Sequence, residues 1–549
     1  MGRCAIAQHH GAIRLGQYAI TSTQAGRVAS HTRDEPVHAT TNKEGLFNMT
    51  WKVAIIGGGP GGLGAAIALS QLNVHGEAPL VDWTLYEKKP RISETGGGIS
   101  IQRHTWRMLE LLGVAHRIDA RDFFRPDDGR SVEHRNAVTG VLLAKRFHSD
   151  DTPPHRASCR MLRSKLQRAL LSALDESRIQ INKKLVKIED AAAGTQLTFD
   201  DGEVATYDLV IGADGIRSLT RLFIAPDHKL TYNGQSAYRT ILRKSDVAAI
   251  NGIPAAPIFW QYVGGKYVYT CPLGRDDFEL TARIRPDEDD AQEHAKQVSW
   301  GQPFDLNKLL PKYTDFAPQL RAILKLAADS GGTQEFAMFH GPRLKTVVRV
   351  HPSLPNTGVL LLGDASHPLS GAFGAGAGFA LEDSYTLAQA LAWVHRTGRP
   401  LAEALWVYDN TRSPHYANLY KELDKGGAII KDVVAKQLPL HDEIEERVRR
   451  LWDEGASGSG WVYTYHADEV VKELIEKIEA ELAEKPKEET QKTESPAAES
   501  TDTPAEKPME ASVEGPVDSA PATEQGATVD EPAKERLVPV VQDVVAAAA

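Results

Sequence analysis

A glycine-rich turn between an apolar run and an alanine-rich segment constrains the fold of this chain more than any other feature. Residues 52–56 have the composition of a short buried strand, the turn Gly57-Gly-Gly-Pro-Gly-Gly62 follows directly, and the residues after it indicate a helix. Strand, G-x-G-x-x-G turn and helix in this order predict a Rossmann-type dinucleotide fold. In such a fold Gly57 permits the tight turn, Gly59 lets the backbone approach a pyrophosphate, and Gly62 lets the helix pack on the strand.

A second apolar run ends in an acidic residue at the spacing that this fold uses for a ribose. Residues 82–86 are followed by Glu87, which lies 25 residues beyond Gly62. A carboxylate at this place accepts hydrogen bonds from ribose hydroxyls and repels a 2′-phosphate. The resident ligand is therefore predicted to be FAD or NAD rather than NADP, and a glycine-rich surface turn without a ligand is the alternative.

Two later apolar runs also end in short acidic turns. Residues 207–213 lead into Asp214-Gly, and residues 358–362 lead into Gly-Asp364, after which a glycine-rich loop opens a long helical segment. Aspartate is common in turns, so a turn role is the alternative for each residue taken alone. Their order after the first glycine motif favours a flavin site over a simple NAD site.

The three ordered motifs make the chain resemble the class A, single-component FAD-dependent monooxygenases, the family of para-hydroxybenzoate hydroxylase and salicylate hydroxylase. The resemblance extends over residues 52–465 and is supported by residues 96–100 (GGGIS) and 163–166 (RSKL). Some fungal members are especially similar around residues 370–379. The resemblance implies a mixed α/β fold, in which a glutathione-reductase-like Rossmann FAD-binding domain carries an inserted β-sheet substrate domain and is followed by C-terminal helices.

Composition and the resemblance together divide the chain into six segments. A transit peptide or a translation start at Met49 is an alternative reading of the basic first segment, and the last segment has too few apolar residues to offset its ordering entropy. The expected segments are a disordered or spurious extension (1–49), the first part of the FAD-binding domain (50–230), a mainly β-sheet substrate domain (231–345), the second part of the FAD-binding domain (346–400), C-terminal helices (401–485) and a disordered acidic tail (486–549).

The resemblance assigns four residues to the adenosine and pyrophosphate side of FAD. It implies that Glu87 binds the adenosine ribose, that Gly98 lies against the cofactor, and that Arg163 reaches the pyrophosphate or ribityl region. It places Asp214 near the cofactor, in a motif that also serves NAD(P)H in the family. A solvated helix face is the alternative for Arg163.

Three further residues are assigned to the ribityl chain and the flavin ring. The resemblance implies that Asp364 binds the ribityl hydroxyls and that Ala377, next to Gly376, presents a backbone N–H to the ring. A helix N-terminus there suits the negative charge of reduced flavin. The family usually has proline where this chain has Gly371 and often glutamine where it has Ala375, so a more mobile loop is expected.

The substrate side offers two candidate catalytic residues. In fungal phenol-oxidising members an arginine in a Tyr-Arg context helps to place substrate and flavin, and a tyrosine on a later strand polarises the phenol. Arg239 matches the first as a fixed cation beside a phenolate or carboxylate, and Tyr269 is the candidate for the second. Because the family often has tyrosine where this chain has Cys271, strand packing is the alternative for Tyr269, and a surface or salt-bridge role is the alternative for Arg239.

Composition limits the classes of molecule that the chain is expected to bind. A net charge of −10 and a pI near 6.0 give no basic footprint for nucleic acid. The three scattered cysteines argue against a disulfide framework or a zinc site and favour a reducing, cytoplasmic compartment, and no apolar segment predicts a membrane span. The expected partners are resident FAD, transient NADPH or NADH, O2 and a small aromatic or polyketide-like substrate, with a homodimer left open.

The reaction implied by the resemblance is hydroxylation of an electron-rich carbon through a C4a-hydroperoxyflavin, in the context of secondary metabolism. Three alternatives stay open. They are another flavin oxidoreductase of the same fold, such as an epoxidase or a reductase, a simple NAD dehydrogenase, and a non-enzymatic scaffold with the tail as its working part.

Overall fold

The computed structural model describes residues 50–74, 76–93, 96–286, 301–369, 371–456 and 460–484. The predicted N-terminal extension and acidic tail lie outside these residues. Within them, no helix combines the length and apolarity that crossing a bilayer requires.

The strands group into four sheets and include each of the predicted apolar runs. In chain order they are β1 (Trp51–Ile56), β2 (Val81–Glu87), β3 (Gly98–Ile101), β4 (Phe123–Phe124), β5 (Arg130–Asn136), β6 (Leu142–Phe147), β7 (Cys159–Leu162), β8 (Ile179–Ile181), β9 (Leu185–Ala191), β10 (Gly194–Phe199), β11 (Val204–Tyr207), β12 (Leu209–Gly212), β13 (Thr231–Arg243), β14 (Ile258–Gln261), β15 (Tyr267–Pro272), β16 (Asp277–Ile284), β17 (Gln302–Pro303), β18 (Gln334–His340), β19 (Val348–Val350) and β20 (Gly358–Leu361).

The α-helices surround these sheets, and the longest of them follow the last strand. In chain order they are α1 (Pro60–Ser70), α2 (Arg103–Leu111), α3 (Arg163–Leu171), α4 (Leu219–Ile224), α5 (Lys244–Val247), α6 (Pro318–Ser330), α7 (Gly376–Thr397), α8 (Leu401–Ala435), α9 (Leu440–Arg450), α10 (Trp461–Thr464) and α11 (Ala467–Glu484).

A six-stranded sheet in the order β19-β20-β12-β1-β2-β8 forms the centre of the cofactor region. All neighbours are parallel except β19 and β20. Both faces are covered, one by α1 and α7 and the other by the small β9–β11 sheet, which explains the near-continuous apolar runs of these strands. Ile56, Gly212 and Leu361 are register partners, so the turns that follow β1, β12 and β20 meet at one edge.

An eight-stranded sheet in the order β17-β18-β13-β16-β15-β14-β5-β6 forms the second region. One face packs on α6 to make a separate apolar core. On the other face Arg239, Thr281, Tyr269 and Phe259 are direct partners across four adjacent strands, and direct partners in a sheet point to the same side. This sheet also includes β5 and β6, which precede the predicted substrate segment in the chain, while the predicted segment boundaries remain predictions.

The helices after β20 join the two regions. Helix α11 packs on α7 and α8, and α9 packs on β5 and β6. Helix α7 ends at Gly398, whose left-handed backbone (φ 64°, ψ 33°) terminates it. The C-terminal helices therefore contact both the cofactor sheet and the eight-stranded sheet.

Candidate active site

The turn after β1 has the geometry that a dinucleotide requires. Gly57 has φ +111°, and a Cβ there would lie 2.4 Å from the carbonyl oxygen of Ala213. A Cβ at Gly62 would lie 1.9 Å from the carbonyl oxygen of Gly57, so α1 approaches the turn closely. A Cβ at Gly59 would meet no atom within 4 Å. The backbone at Gly59 is therefore the open face of the turn.

The Glu87 carboxylate lies directly beside this turn. Its Oε2 accepts a hydrogen bond from the Gly58 N–H at 2.9 Å, and its Oε1 accepts one from the Lys89 N–H at 2.9 Å. These two bonds leave further lone pairs on a partly exposed carboxylate. Glu87 can thus accept hydrogen bonds from ribose hydroxyls without losing its own anchors.

The two acidic turns lie at the same edge of the sheet, but their aspartate side chains differ in burial and in hydrogen bonding. Asp214 Oδ2 accepts hydrogen bonds from the N–H groups of Leu219 (2.8 Å) and Thr220 (3.1 Å), at the start of α4. Its Oδ1 is buried and has no hydrogen-bond partner among the described residues. Asp364 is exposed, and its Oδ1 lies 3.7 Å from the position of a Cβ at Gly376. The Asp364 carboxylate and the N-terminus of α7 therefore border one space.

Asp383 fixes the turn that carries Asp364, and sequence reasoning gave it no role. Asp383 is fully buried, its Oδ2 accepts a hydrogen bond from the Gly363 N–H at 2.8 Å, and its Oδ1 accepts one from Arg412 Nε at 2.7 Å and one from the Tyr416 hydroxyl. Burial acts to raise the pKa of Asp383, but the Arg412 guanidinium holds it well below its usual range. The charged network ties the Gly-Asp turn to α7 and α8.

The pKa of Glu382, the neighbour of Asp383, is shifted in the opposite direction. Glu382 is fully buried and contacts Arg412 at 2.9 Å. Burial raises the pKa of Glu382 to about 7, even though Arg412 acts to lower it. His415 lies 3.8 Å from the same carboxylate. One buried arginine thus serves two buried acids, and only Asp383 is held strongly ionised.

A pocket of about 140 Å³ lies between the open face of the eight-stranded sheet, the β3–β7 pair and the loop before α7. We name residues 371–375 of that loop the glycine loop, and two of its glycines line the pocket. The polar wall includes Ser100, Arg160, Arg239, Glu279, Thr281 and Arg283. The apolar wall includes Phe124, Val132, Phe259, Tyr267, Tyr269 and Met338.

The pocket is cationic, because three guanidinium groups and one carboxylate line it. Glu279 is 1% exposed and accepts hydrogen bonds from the Gly98 N–H (2.9 Å) and from Arg160. Burial acts to raise the pKa of Glu279, but Arg160 and Arg239 hold it below its usual range. Gly98 is thus joined through Glu279 to the wall of the pocket. The alternation Glu279-x-Thr281-x-Arg283 in β16 was the signal in the sequence for this polar face.

Arg239 faces the pocket with an unsatisfied donor. Its Nε is buried without a hydrogen-bond partner among the described residues, and its guanidinium carbon lies 5.3 Å from the ring centre of Phe336. Burial lowers the pKa of Arg239, Glu279 opposes this, and nearby Arg163 adds to it. The Arg163 N–H bonds the Gly97 carbonyl at 3.3 Å. Arg163 therefore lies at the border of the pocket and the predicted cofactor site.

Tyr269 faces the same pocket and is 7% exposed. Its ring centre lies 5.1 Å from the guanidinium carbon of Arg160 and 4.7 Å from the ring centre of Phe259. Burial raises the pKa of Tyr269 well above its ordinary value, and burial raises that of Cys271 to about 12. Both groups are protonated at neutral pH, so the Tyr269 hydroxyl, which lies beside the Cys271 thiol, carries a proton that it can donate.

The structure brings the predicted residues together in two adjoining groups. The cofactor edge contains Gly57, Gly59, Gly62, Glu87, Asp214, Asp364, Gly376 and Ala377. The pocket contains Arg239 and Tyr269, with Gly98 and Arg163 between the two groups. Within the described ranges no group of three or more His, Cys, Asp or Glu side chains is arranged to hold a metal ion.

The cofactor edge fits FAD on its own chemistry. The open backbone at Gly59 and the N-terminus of α1 suit a pyrophosphate, and the Glu87 and Asp364 carboxylates suit ribose and ribityl hydroxyls. The Asp214 Oδ1 is a buried acceptor without a hydrogen-bond partner among the described residues. The N-terminus of α7 adds N–H donors for an anionic ring edge.

Comparison with known proteins gives consistent matches. The profile of a protein family described as "FAD binding domain" matches residues 50–422. "FAD-dependent monooxygenase sor5" from Hypocrea jecorina is 26% identical over 473 residues, which are 78% of this chain and 94% of the relative. Salicylate hydroxylase from Pseudomonas putida is 26% identical over 441 residues, which are 77% of this chain and 93% of the relative.

Solved structures share the architecture. A structure titled "Salicylate hydroxylase substrate complex" superposes with a TM-score of 0.59 at 22% identity and covers 77% of this chain and 97% of its own. At this identity the match shows the fold. The predicted mixed α/β fold with a C-terminal helical section is confirmed.

Proposed function

Since the chain belongs to the FAD binding domain family and its relatives include FAD-dependent monooxygenases, we propose that it uses NAD(P)H and O2 to hydroxylate a small aromatic, phenolic or related polyketide-type substrate. One observation carries the proposal: the cationic pocket with Arg239 and Tyr269 opens beside the glycine loop, at the edge that fits FAD. The balanced reaction converts a C–H bond, O2, NAD(P)H and a proton into a C–OH bond, water and NAD(P)+.

FAD held at the cofactor edge would supply the redox chemistry, namely hydride acceptance and oxygen activation. The chain's own residues bind the substrate, orient it and shield it from water. Arg239 provides a fixed cation for a phenolate or carboxylate. The protonated Tyr269 hydroxyl provides a donor on the same face of the sheet. The aromatic wall, including Phe124 and Phe259, excludes water around the substrate ring.

An absorption spectrum and an oxidation assay on the purified protein test this function. We expect a yellow protein whose NADPH or NADH oxidation is stimulated by members of a phenol and aromatic-acid panel. With ¹⁸O2, the product should gain one labelled oxygen on a ring carbon. A labelled epoxide or an unlabelled reduced product would instead support the epoxidase or the reductase alternative. A protein that cannot be loaded with FAD would contradict the proposal entirely.

Arg239→Gln tests the role of the pocket cation. Removing a charged hydrogen-bond partner should raise the KM for an anionic aromatic substrate by about 10- to 100-fold. The KM for a neutral analogue should change much less, so both are measured by steady-state kinetics. Arg243→Gln is the matched control, because Arg243 lies on the same strand but outside the pocket and pairs with Asp246. Equal effects on both substrates would remove Arg239 from substrate binding.

A further inference from the structure

A short aromatic segment near the end of the described chain packs on the glycine loop. We name residues 461–465 (WVYTY) the clamp, and they lie beyond the residues that match the family profile. Val462 is fully buried in one apolar cluster with Phe373 of the glycine loop and Phe379 of α7, and Trp461 and Tyr463 pack against this cluster. The clamp thus contacts the loop through Phe373, and neither Phe373 nor a clamp residue is among the residues that line the pocket.

The Tyr463 hydroxyl donates a hydrogen bond to the backbone carbonyl of Phe373 at 3.1 Å. Phe373 is fully buried and has φ 63°, a left-handed conformation that a phenylalanine rarely adopts. Such a residue persists only where its surroundings hold it. The flanking Gly371 and Gly374 line the pocket, so the conformation at Phe373 sets the position of the pocket wall.

Tyr463 also braces the first turn of α7 through a stack of rings. Its ring lies 6.1 Å from that of His104, and the His104 ring lies 5.6 Å from that of Phe379. His104 is buried, and burial lowers its pKa to about 3, so the stacked imidazole is neutral. A Cβ at Gly378 would lie 2.5 Å from His104 Nε2, which shows how tightly α7 rests on this ring.

We propose that Tyr463 is a positioning residue that holds the glycine loop and the N-terminus of α7 in the geometry that receives the flavin. The sequence predicts a more mobile loop, because Gly371 and Ala375 replace residues that the family usually has there. Contacts from the clamp restrict the motion of the glycine loop that these replacements would otherwise allow. The proposal rests on the FAD site alone and does not depend on the identity of the substrate.

Hydrogen exchange of the FAD-loaded full chain, followed by mass spectrometry, tests the proposal in Tyr463→Phe. This change keeps the ring stack and removes only the bond to Phe373. Amides of residues 371–379 should exchange about two- to tenfold faster, the effect of one lost hydrogen bond on local opening. The FAD dissociation constant, measured by fluorescence titration, should rise by a similar factor. The unfolding temperature of the whole protein should change little.

Tyr465→Phe is the matched control within the clamp. Tyr465 stacks on His415 at 4.0 Å and lies beside Arg412, whose guanidinium carbon is 5.5 Å from its ring centre, and among the described residues it makes no hydrogen bond to the glycine loop. We expect wild-type exchange of residues 371–379 in this variant. Unchanged loop exchange and FAD affinity in Tyr463→Phe would overturn the proposal, and so would an equal increase in both variants. Because neither readout involves substrate turnover, a failure of the proposed hydroxylation would be recognised separately.

Discussion

The Asp364 carboxylate stands exposed at the carboxyl end of β20, next to the N-terminus of α7. Its backbone carbonyl, not its side chain, accepts the hydrogen bond from buried Arg221 at 3.2 Å. Asp364→Ala therefore removes the acceptor predicted for the ribityl hydroxyls without leaving a buried partner unpaired. FAD binding should weaken by about 1.5–3 kcal/mol, while the FAD-free protein should unfold at an unchanged temperature.

Fluorescence titration of FAD into the apoprotein measures this loss. Asp364→Asn is the informative companion, because the amide keeps one acceptor oxygen at the same place, and it should lose less affinity than the alanine variant. Wild-type FAD affinity in Asp364→Ala would refute the assignment of this residue.

Asp214 shows how far a single residue can be predicted from a motif. The sequence left open whether Asp214 is a turn residue or a cofactor residue. The structure shows that one oxygen caps the start of α4, while the other is buried without a partner. The two readings are therefore compatible, since one carboxylate has lone pairs for both. The cofactor role of the second oxygen stays a prediction.

At the scale of elements, the packing of α7 against α8 buries the Glu382 carboxylate, and burial disfavours its ionised form. The charged or titratable groups around its carboxylate include Arg412, Asp383, His415, Tyr465 and the more distant Asp468. Burial raises the pKa of Glu382 to about 7 from an ordinary value of 4.5. The folded state therefore binds more protons than the unfolded state between these values. The free energy of unfolding should fall as the pH rises through this window.

Glu382→Gln tests this linkage. The neutral amide keeps the shape of the side chain but cannot ionise, so the variant should gain stability relative to wild type as the pH rises from 5 to 8. The relative gain should be on the order of 1–3 kcal/mol, measured by urea unfolding at several pH values. Glu476→Gln is the control, because Glu476 is 61% exposed on α11. A difference between Glu382→Gln and wild type that does not vary with pH would contradict the assigned pKa.

The elements that sequence analysis recognised are those with local patterns. The strand–turn–helix that begins at residue 52 and the apolar runs that precede Asp214 and Asp364 correspond to observed elements, because period and turn chemistry are local properties. The contribution of β5 and β6 to the eight-stranded sheet was not predicted. Strand pairing across more than a hundred residues leaves no local trace, and β5 pairs with β14 at that distance.

At the scale of the whole molecule, the same distinction between local patterns and long-range contacts separates the cofactor edge from the pocket. The cofactor edge could be predicted because each of its motifs follows its own strand. The charge of the pocket could not, because Glu279 meets Arg160 and Gly98 across 119 and 181 residues of chain. These contacts form a seam between the cofactor region and the eight-stranded sheet. The seam joins regions that the sequence presents as separate segments.

Glu279→Gln should have two opposite effects on the whole molecule. Removing the carboxylate breaks a buried ion pair with Arg160, which should lower the free energy of unfolding by about 3–5 kcal/mol. The same change leaves Arg160 and Arg239 without their shared counter-charge in the pocket. An anionic probe such as benzoate should therefore bind several-fold more tightly, while neutral benzyl alcohol should not, as measured by calorimetric titration.

Glu133→Gln separates the two effects, because Glu133 is equally buried in the same sheet and pairs with Arg130 and Arg135 outside the pocket. It should lose stability by a comparable amount without any change in benzoate affinity. If both variants lost stability but neither bound benzoate more tightly, Glu279 would be a structural link between the regions with no part in the charge of the pocket. If Glu279→Gln alone gained anion affinity, the seam that joins the two regions would also set which substrates the pocket admits.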